Sequence, residues 1–240
     1  PSATNKYVTE SDPVLSSIGG GGGGTTGPDL IGIGQIGEVL SITDIGFPVL
    51  AGLNSTDVAF IDNTNDELRC YTFDGTNWTQ KGNGLSITGA GYTHALAGLN
   101  STDVAFIDSN NDELRCYTFN GTNWTQKGNG LSITDIGFPV LAGLNSTDVA
   151  FIDSAKDELR CYTFDGANWT QKGNGLSIAI TGSHALAPLT STDVAFIDSA
   201  SAELRCYTFN GTDWTQKGNG LSIANVSNPA LASLNSTDIA

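Results

Sequence analysis

The sequence has few basic residues and no long hydrophobic run, and each absence argues against a class of protein. Its 240 residues include 10 Lys and Arg against 25 Asp and Glu, a formal net charge of −15, with two His and no Met. Binding to nucleic acid or to anionic lipid requires a basic surface that neutralises phosphate groups. A membrane-spanning helix requires roughly 18 consecutive apolar residues, and no segment approaches that length. We therefore expect no nucleic-acid partner and no membrane partner.

What the sequence does contain is one segment repeated several times. Leu-Asn-Ser-Thr-Asp, with one Leu-Thr-Ser-Thr-Asp variant, recurs with its last residue at Asp57, Asp103, Asp148, Asp193 and Asp238. These positions are 46, 45, 45 and 45 residues apart, and one Trp and one Cys repeat in step with them. A period of this length is typical of repeat architectures such as β-propellers.

Each unit reads as four short strands, which we label A to D. In the first unit they cover residues 47–53, 57–62, 67–73 and 78–87. Asp74-Gly75 is a hairpin signal between strands C and D, and Gly82 with Gly84 suggests a bulge in strand D. No segment has a sustained helical period. The pattern predicts an all-β protein, a β-propeller of four-stranded blades of about 45 residues.

The two ends of the chain match different parts of the repeat. Residues 34–42 align with strand D at 79–87, and residues 229–240 supply a further strand A and the start of strand B. Joining both ends into one composite blade would give a five-bladed ring without free edges. Strand C of that blade falls near the Gly-rich residues 22–28. The blade could lack this strand, residues 29–33 or another chain could supply it, or the chain could be truncated at Ala240.

The first residues lie outside the repeat and include six consecutive glycines at 19–24. We assign residues 1–18 to an anchoring or oligomerisation segment, 19–32 to a Gly-rich linker, and 33–240 to the propeller. Residues 5–16 read Asn-Lys-Tyr-Val-Thr-Glu-Ser-Asp-Pro-Val-Leu-Ser. This segment resembles a motif near the start of bacteriophage tail-fibre and virion appendage proteins. The resemblance implies a homo-oligomer, with a trimer favoured, that binds other virion proteins through this segment.

Differences between the units suggest a binding face. The D–A and B–C connections vary among the units, whereas the A–B and C–D connections hardly change. In a four-stranded meander the variable pair emerges at one end, where a rigid scaffold tolerates variation in ligand-binding loops. Aromatic rings there can stack on sugars, and carboxylates can accept bonds from sugar hydroxyls. The candidate ligand-binding residues are Asp44, Phe47, Asp62, Tyr92, His94, Asp108, Asp135, Phe138, Asp153 and His184.

Other recurring residues have simpler interpretations. The cysteines occupy equivalent places in different blades, too far apart for disulfides, so we expect buried free thiols. We expect the tryptophans to pack on the outer strand, with a sugar platform as the competing role. Pairs such as Glu67 and Arg69 are expected to be solvated strand charges. The Asp62-to-Asp66 loop is interpreted as an Asx turn rather than a calcium loop.

Nothing in the sequence predicts a catalytic, metal or cofactor site. The only histidines, His94 and His184, are equivalent positions in separate blades, and neither has a nucleophile motif beside it. The propeller also resembles the five-bladed tachylectin-2-type lectins in blade number and unit length. We therefore expect a non-catalytic virion-surface protein that displays weak, repeated sites for cell-surface glycans. The alternatives are a structural or decoration virion protein without a ligand, and a free bacterial lectin, cytoplasmic or extracellular.

Overall fold

The computed structural model describes residues 49–62, 65–87, 94–108, 111–133, 139–153, 156–178, 183–198, 201–224 and 228–239. The chain divides into two units, residues 1–35 and 36–240, and every described residue belongs to the second. The predicted anchoring segment, linker and N-terminal strand D at 34–42 lie outside the described residues, so the predicted domain bounds stay a prediction. No helix in the described segments is long and apolar enough to cross a bilayer.

The described residues form four antiparallel sheets, each with its strands in the order A-B-C-D. Sheet one contains β1 (Val49–Gly52), β2 (Asp57–Asp62), β3 (Glu67–Phe73), β4 (Trp78–Gln80) and β5 (Leu85–Ser86). Sheet two contains β6 (Ala95–Gly98), β7 (Asp103–Asp108), β8 (Glu113–Phe119) and β9 (Trp124–Ser132). Sheet three contains β10 (Val140–Gly143), β11 (Asp148–Asp153), β12 (Glu158–Phe164) and β13 (Trp169–Ser177). Sheet four contains β14 (His184–Pro188), β15 (Asp193–Asp198), β16 (Glu203–Phe209), β17 (Trp214–Gln216) and β18 (Leu221–Ser222). The four-stranded units and the bounds of strands B and C are confirmed.

Strand B shows why these residues form buried sheets. In β7 every residue of Asp-Val-Ala-Phe-Ile-Asp is buried. Successive side chains point to opposite faces of a strand, so Val104 and Phe106 lie on one face and Ala105 and Ile107 on the other. A strand that is apolar on both faces is stable only between two neighbouring layers. The pattern therefore suits a sheet packed between two others, as sheets two and three are.

Three apolar cores join the four sheets in sequence. In the first, Ala59, Ile61 and Cys70 of sheet one pack with a set from sheet two that includes Phe106 and Trp124. Equivalent clusters join sheets two and three and sheets three and four. Each sheet therefore has a leading face, which carries Phe, Tyr and Trp toward the preceding sheet, and a trailing face of Ala, Ile, Leu and Cys toward the next. The prediction that the tryptophans pack is confirmed for Trp124, Trp169 and Trp214, which are buried.

The innermost strands surround a central channel. The channel encloses about 400 Å³ and is lined by Leu-Ala-Gly or Leu-Ala-Pro of the four sheets and by residues 231–233. Ser233 also bridges Ile239 in the register that pairs Gly52 with Val58 in sheet one. The described residues thus contain four blades, whereas the sequence predicted five. Of the fifth repeat, the described residues include the inner strand position at 229–239. Its predicted outer strand at residues 34–42 lies outside them.

The predicted bulge in strand D is confirmed. In sheet two Leu114 pairs with Leu131 and Cys116 pairs with Lys127, so strand D contains extra residues between the two pairs. Gly128 in this bulge has a φ of +68°, a conformation that glycine adopts readily. The bulge directs the backbone of strand D toward the next sheet. There the Asn129 amide N–H donates to the Ala167 carbonyl at 2.7 Å, and the Asn129 side-chain amide donates to Asn168 Oδ1 at 3.0 Å. We call this contact, which Asn83 and Asn174 also make, the latch.

Candidate functional site

An ionic group recurs where strand B ends and strand C begins, which we call the B–C end of the propeller. It consists of the Asp that ends strand B, the Glu that begins strand C and the Arg two residues later, and we call it the acid–arginine triad. The four triads are Asp62, Glu67 and Arg69; Asp108, Glu113 and Arg115; Asp153, Glu158 and Arg160; and Asp198, Glu203 and Arg205.

Geometry is most regular at the contact between arginine and glutamate. The distance from the guanidinium to Oε2 of the glutamate is 2.8 Å for Arg69, 2.7 Å for Arg115, and 2.6 Å for both Arg160 and Arg205. The aspartate is farther away, with Nη1–Oδ2 distances of 3.1 Å in sheet one, 3.5 Å in sheet two and 3.7 Å in sheet three. In sheet four Asp198 accepts a bond of 2.7 Å from the Ser201 hydroxyl.

The strand register accounts for this grouping. Asp62 and Glu67 are direct partners across β2 and β3, and Phe60 is the partner of Arg69. Side chains two residues apart on a strand share a face, so Glu67 and Arg69 project together. Asp66 turns the chain between the strands with a φ of +55°. The amide N–H of Asn65 donates to Asp62 Oδ1 at 3.2 Å, which confirms the predicted Asx turn.

Each triad lies on the leading face of its sheet. In sheet two, Phe106 and Tyr117 pack against sheet one, and they share their faces of β7 and β8 with Asp108 and Arg115. The triad therefore occupies the B–C end of the cleft between two sheets, above the apolar core. Beneath it the Phe106 and Tyr117 rings meet edge to face with centroids 6.0 Å apart.

The triads are half-buried rather than solvated. Side-chain exposure of the four arginines is between 13% and 25%, and all four aspartates are buried. Arg160 also donates to the Tyr162 hydroxyl and to Gln171 Oε1, both at 3.3 Å. The prediction that these charges are solvated strand residues is therefore wrong. Strand sequence alone does not show that each arginine packs against acidic side chains of its own sheet.

Glycine after the bulge allows the triad's glutamate to approach the backbone of strand D closely. A Cβ at Gly130 would lie 2.8 Å from Glu113 Oε2 and 3.5 Å from Arg115 Cγ. The glutamate side chains remain 28% to 31% exposed. The cleft mouth thus presents guanidinium donors and carboxylate acceptors in one partly accessible place. Such a set can bond to a neutral polyol, whose hydroxyls both donate and accept.

Two of the clefts contain a histidine, His94 in sheet two and His184 in sheet four. His94 is buried with its ring 5.2 Å from that of Phe106. Burial lowers the pKa of His94, and the charges of Asp108 and of Asp66 in sheet one oppose that shift. His184 occupies the same place in sheet four, and burial likewise lowers its pKa. Sheet three has Pro139 at this position.

Half of the ten predicted ligand-binding residues lie within the described residues. Asp62, Asp108 and Asp153 belong to the triads, and His94 and His184 lie beside Asp108 and Asp198 in the same clefts. All of these except the half-buried His184 are buried. The other predicted residues lie outside the described residues and stay a prediction: Asp44, Phe47, Tyr92, Asp135 and Phe138. Sequence reasoning missed the arginines, although the Glu-x-Arg spacing on strand C was the signal for them.

The opposite end of the propeller has a different and more uniform chemistry. Lys81 donates to Asp57 Oδ2 at 2.7 Å, and Asn54 donates to the same oxygen at 3.0 Å. The bond from Lys81, with further bonds from Thr72 and Asn54, lowers the pKa of Asp57 to about 2. The same Lys–Asp pair recurs in the other sheets at 2.7 to 2.8 Å. These bonds stabilise the A–B turns.

Metal and thiol chemistry gain no support from the described residues. Within them, no three His, Cys, Asp or Glu side chains are grouped to hold a metal ion. All four cysteines are free, as predicted, and Cys70, Cys116 and Cys161 are buried. Burial raises the pKa of Cys116 and of Cys161 to about 12, which keeps both thiols protonated and unreactive.

Comparison with known proteins identifies the fold. No protein-family model and no curated protein matches the sequence. Among solved structures, the Aleuria aurantia lectin in complex with α-methyl-L-fucoside matches with a TM-score of 0.53 at 18% identity, over 79% of this chain and 67% of that chain. Another structure of that lectin is described as a six-bladed β-propeller.

Two further structures extend the comparison. SapL1 lectin in complex with α-methyl fucoside matches with a TM-score of 0.52 at 14% identity, over 78% of this chain and 68% of that chain. A putative 6-phosphogluconolactonase from Bacteroides uniformis matches with a TM-score of 0.55 at 8% identity, over 73% of this chain and 54% of that chain. Identities this low bear on the fold alone, and the lectins and the putative lactonase share it with this chain. The chain is an all-β protein with the β-propeller fold.

Proposed function

We propose that this propeller is a non-catalytic glycan-binding domain whose sites are the clefts between adjacent sheets at the B–C end. The observation that carries the proposal is the acid–arginine triad, which recurs in every described sheet with its guanidinium partly exposed. The paired glutamate holds each arginine in place, and in sheets one to three a buried aspartate also contacts it. Little side-chain freedom is therefore lost when a ligand binds. Arg115, Arg160 and Arg205 contact the ligand directly, and Asp108 and Asp153 position them.

Neutral sugars suit such a site better than charged ligands. The triad presents two carboxylates to one guanidinium, in a protein of net charge −15, so an anionic ligand would be repelled. Sugar hydroxyls can donate to Glu113 and accept from Arg115 without altering the charge of the cleft. Two propellers with similar folds were solved with fucosides, which makes α-methyl-L-fucoside the first probe to use.

Repetition compensates for weak single sites. We propose five blades in all, the last formed from both chain ends, because residues 231–233 join the four sheets around the channel. Near-identical clefts around one ring can bind several copies of a surface glycan together, and effective concentration then raises the avidity. Catalysis would instead require chemically distinct roles for paired groups. The four triads are too similar to one another to supply two chemically distinct groups.

The N-terminal motif supports a place on a virus particle. Residues 5–16 resemble the start of phage fibre and appendage proteins, and we propose that residues 1–18 attach a homo-oligomer, favoured as a trimer, to other virion proteins. The propeller would then display its clefts to host-surface glycans at the virion surface. Mass spectrometry of purified particles tests this location. Finding the chain only in the soluble fraction of lysed cells would contradict it.

Binding is tested on a glycan array with the full chain, followed by titration with α-methyl-L-fucoside. The test variant replaces Arg115, Arg160 and Arg205 together with Lys, which keeps the charge and removes the bidentate guanidinium. Losing one charge-assisted hydrogen bond of about 1.5 to 3 kcal/mol weakens each site roughly tenfold or more. We expect array binding to fall by at least that factor.

The matched control makes the reverse exchange at the opposite end. Replacing Lys127, Lys172 and Lys217 together with Arg changes three cations that pair with A–B turn aspartates. This variant should bind like the unmodified chain. Absence of binding to any glycan, with soluble sugars tested to millimolar concentration, would contradict the glycan proposal. Full binding by the Arg-to-Lys variant would place the sites elsewhere.

A further inference from the structure

Every described sheet carries the same chemically labile dipeptide, Asn-Gly, in the bulge of its strand D. The four asparagines are exposed, and each lies in an identical segment that reads Trp-Thr-Gln-Lys-Gly-Asn-Gly-Leu-Ser-Ile. The pairs are Asn83-Gly84, Asn129-Gly130, Asn174-Gly175 and Asn219-Gly220. Their intrinsic reactivity is therefore the same, and any difference between them must come from the tertiary structure.

Asparagine followed by glycine is labile because the glycine amide can attack the asparagine side chain. The amide nitrogen bonds to the asparagine Cγ, the Cγ–Nδ2 bond breaks, and ammonia leaves with the proton from the glycine amide. Water then opens the five-membered succinimide at either carbonyl and leaves aspartate or isoaspartate. Glycine favours the attack because it has no Cβ to obstruct it and its backbone is permissive. The reaction consumes one water, releases one ammonia and creates one carboxylate.

The latch restrains three of the four asparagines at the atom that must leave. Asn83 Nδ2 donates to Asn123 Oδ1 at 2.9 Å, and the Asn83 amide N–H donates to the Thr122 carbonyl at 2.7 Å. Asn129 and Asn174 make the same two bonds to the next sheet. A side chain that reaches across to another sheet must turn back toward its own following amide to form the succinimide. The latch bond from Nδ2 therefore has to break before the reaction can start.

A glycine before each asparagine, the latch glycine, lets the two sheets approach this closely. Gly82, Gly128 and Gly173 have φ between +67° and +68°, and a Cβ on any of them would overlap the carbonyl oxygen that the latch uses. Gly218 of sheet four has a φ of +71°, but no described atom lies within 4 Å of its Cβ position. The bulge of sheet four thus has the conformation of a latch without a described partner.

Asn219 follows Gly218 and is the exception among the four asparagines. Among the described residues, no hydrogen bond joins Asn219 to another sheet. The alignment of residues 34–42 with strand D places Gly32 at the position of Asn77 and Asn123. Glycine has no side chain to accept a bond from Asn219 Nδ2. A complete fifth blade would therefore not supply the side-chain half of a latch.

We infer that Asn219 is a site of spontaneous deamidation and that the latch protects Asn83, Asn129 and Asn174 from the same reaction. At Asn219 the new carboxylate disturbs no latch. At Asn83 it would face Asn123 Oδ1, and two acceptors cannot bond to each other. A latch asparagine that deamidates while its latch is open therefore cannot re-form the bond. The inference is independent of the glycan-binding proposal.

Peptide mass spectrometry of the full chain after incubation at mildly alkaline pH tests the inference. Trypsin cleaves after the Lys that precedes each pair, so the four asparagines fall on four peptides of different sequence. We expect Asn219 to convert about tenfold faster than Asn83, Asn129 and Asn174, because two hydrogen bonds must break at a latch. In concentrated urea all four should convert at one rate, since their local sequences are identical. A sample digested without incubation gives the background.

A variant that opens one latch provides the matched control within a single chain. Asn123→Ala removes the acceptor of Asn83 and leaves the latch of Asn129 intact, so Asn83 should convert about threefold faster while Asn129 stays slow. Equal rates at all four sites of the folded chain, whether fast or slow, would overturn the inference. Unequal rates in urea, or an unchanged Asn83 rate in Asn123→Ala, would overturn the protection by the latch. None of these measurements depends on glycan binding.

Discussion

Sheets two and three differ from sheets one and four although their sequences are nearly the same. Trp169 in sheet three is 4% exposed, whereas Trp78 at the matching position of sheet one is half-buried. Cys161 is buried, while Cys206 in sheet four is only partly so. A residue's burial in this fold is therefore a property of the neighbouring sheet as much as of its own strand. Identical residues in different surroundings provide internal controls.

The largest effect is expected at the tryptophans. Replacing Trp169 with Ala leaves a cavity in the closed core between sheets two and three, and should lower the free energy of unfolding by about 3 to 5 kcal/mol. The described residues leave Trp78 half-buried, so Trp78→Ala should cost less than Trp169→Ala unless a complete fifth blade covers it. Urea denaturation of both variants measures the difference. Equal losses would mean that the leading face of sheet one is as well covered as that of sheet three.

An intermediate effect is expected at the latch glycines. Alanine at Gly173 or at Gly218 must adopt a left-handed conformation, which costs roughly 1 to 2 kcal/mol in either sheet. At Gly173 the new Cβ also overlaps the Thr212 carbonyl, whereas at Gly218 it meets no described atom. Gly173→Ala should therefore shift the urea midpoint more than Gly218→Ala. A larger shift for Gly218→Ala would contradict the latch between sheets three and four.

The smallest effect is expected from acid. Burial lowers the pKa of His94 in the folded chain. The His94 side chain therefore stays neutral in the folded chain at a pH where it is protonated in the unfolded chain, in which its pKa is near 6.5. The unfolded state then binds more protons, and stability falls as pH drops from about 6.5 toward the folded pKa. His94→Gln should reduce the difference in urea midpoint between pH 7.5 and pH 5.5.

His184 provides the comparison for that measurement. It is less buried than His94, although burial lowers its pKa in the same direction. His184→Gln should therefore reduce the pH dependence less than His94→Gln does. If both variants keep the full pH dependence, groups other than the two histidines are responsible for it.

Much of the fold could be predicted from local sequence, because comparison of the repeats shows which residues recur in each strand and turn. Asp74-Gly75 predicted the hairpin, and Gly75 has the positive φ of +98° that such a turn requires. The bounds of β2 and β3 followed from a run of apolar residues between two acids and from residues that favour extended structure, each bounded by turn signals. The bulge in strand D and the burial of three of the four cysteines were also predicted correctly. All of these depend on residues close together in the chain.

The candidate site was predicted only in part, for a physical reason. Asp62, Asp108 and Asp153 were selected because they border variable loops, but their arginine partners lie on strand C of the same sheet and follow from the strand register. Arg69 and Arg115 were taken for solvated charges, since an isolated strand would leave them in water. The latch was missed for the same reason, as it joins residues of different sheets.

By itself the sequence determined the repeat, the four strands of each unit and the two apolar faces of every strand B, because these follow from chain-local spacing and alternation. Tertiary structure decided which face meets which neighbour. That choice placed the triads at the cleft mouths and the latches at the outer edge, and it left Leu50 and Trp78 more exposed than their equivalents in the other sheets. Equal sequences acquired unequal environments because a core between sheets needs two surfaces, and each blade supplies only one of them.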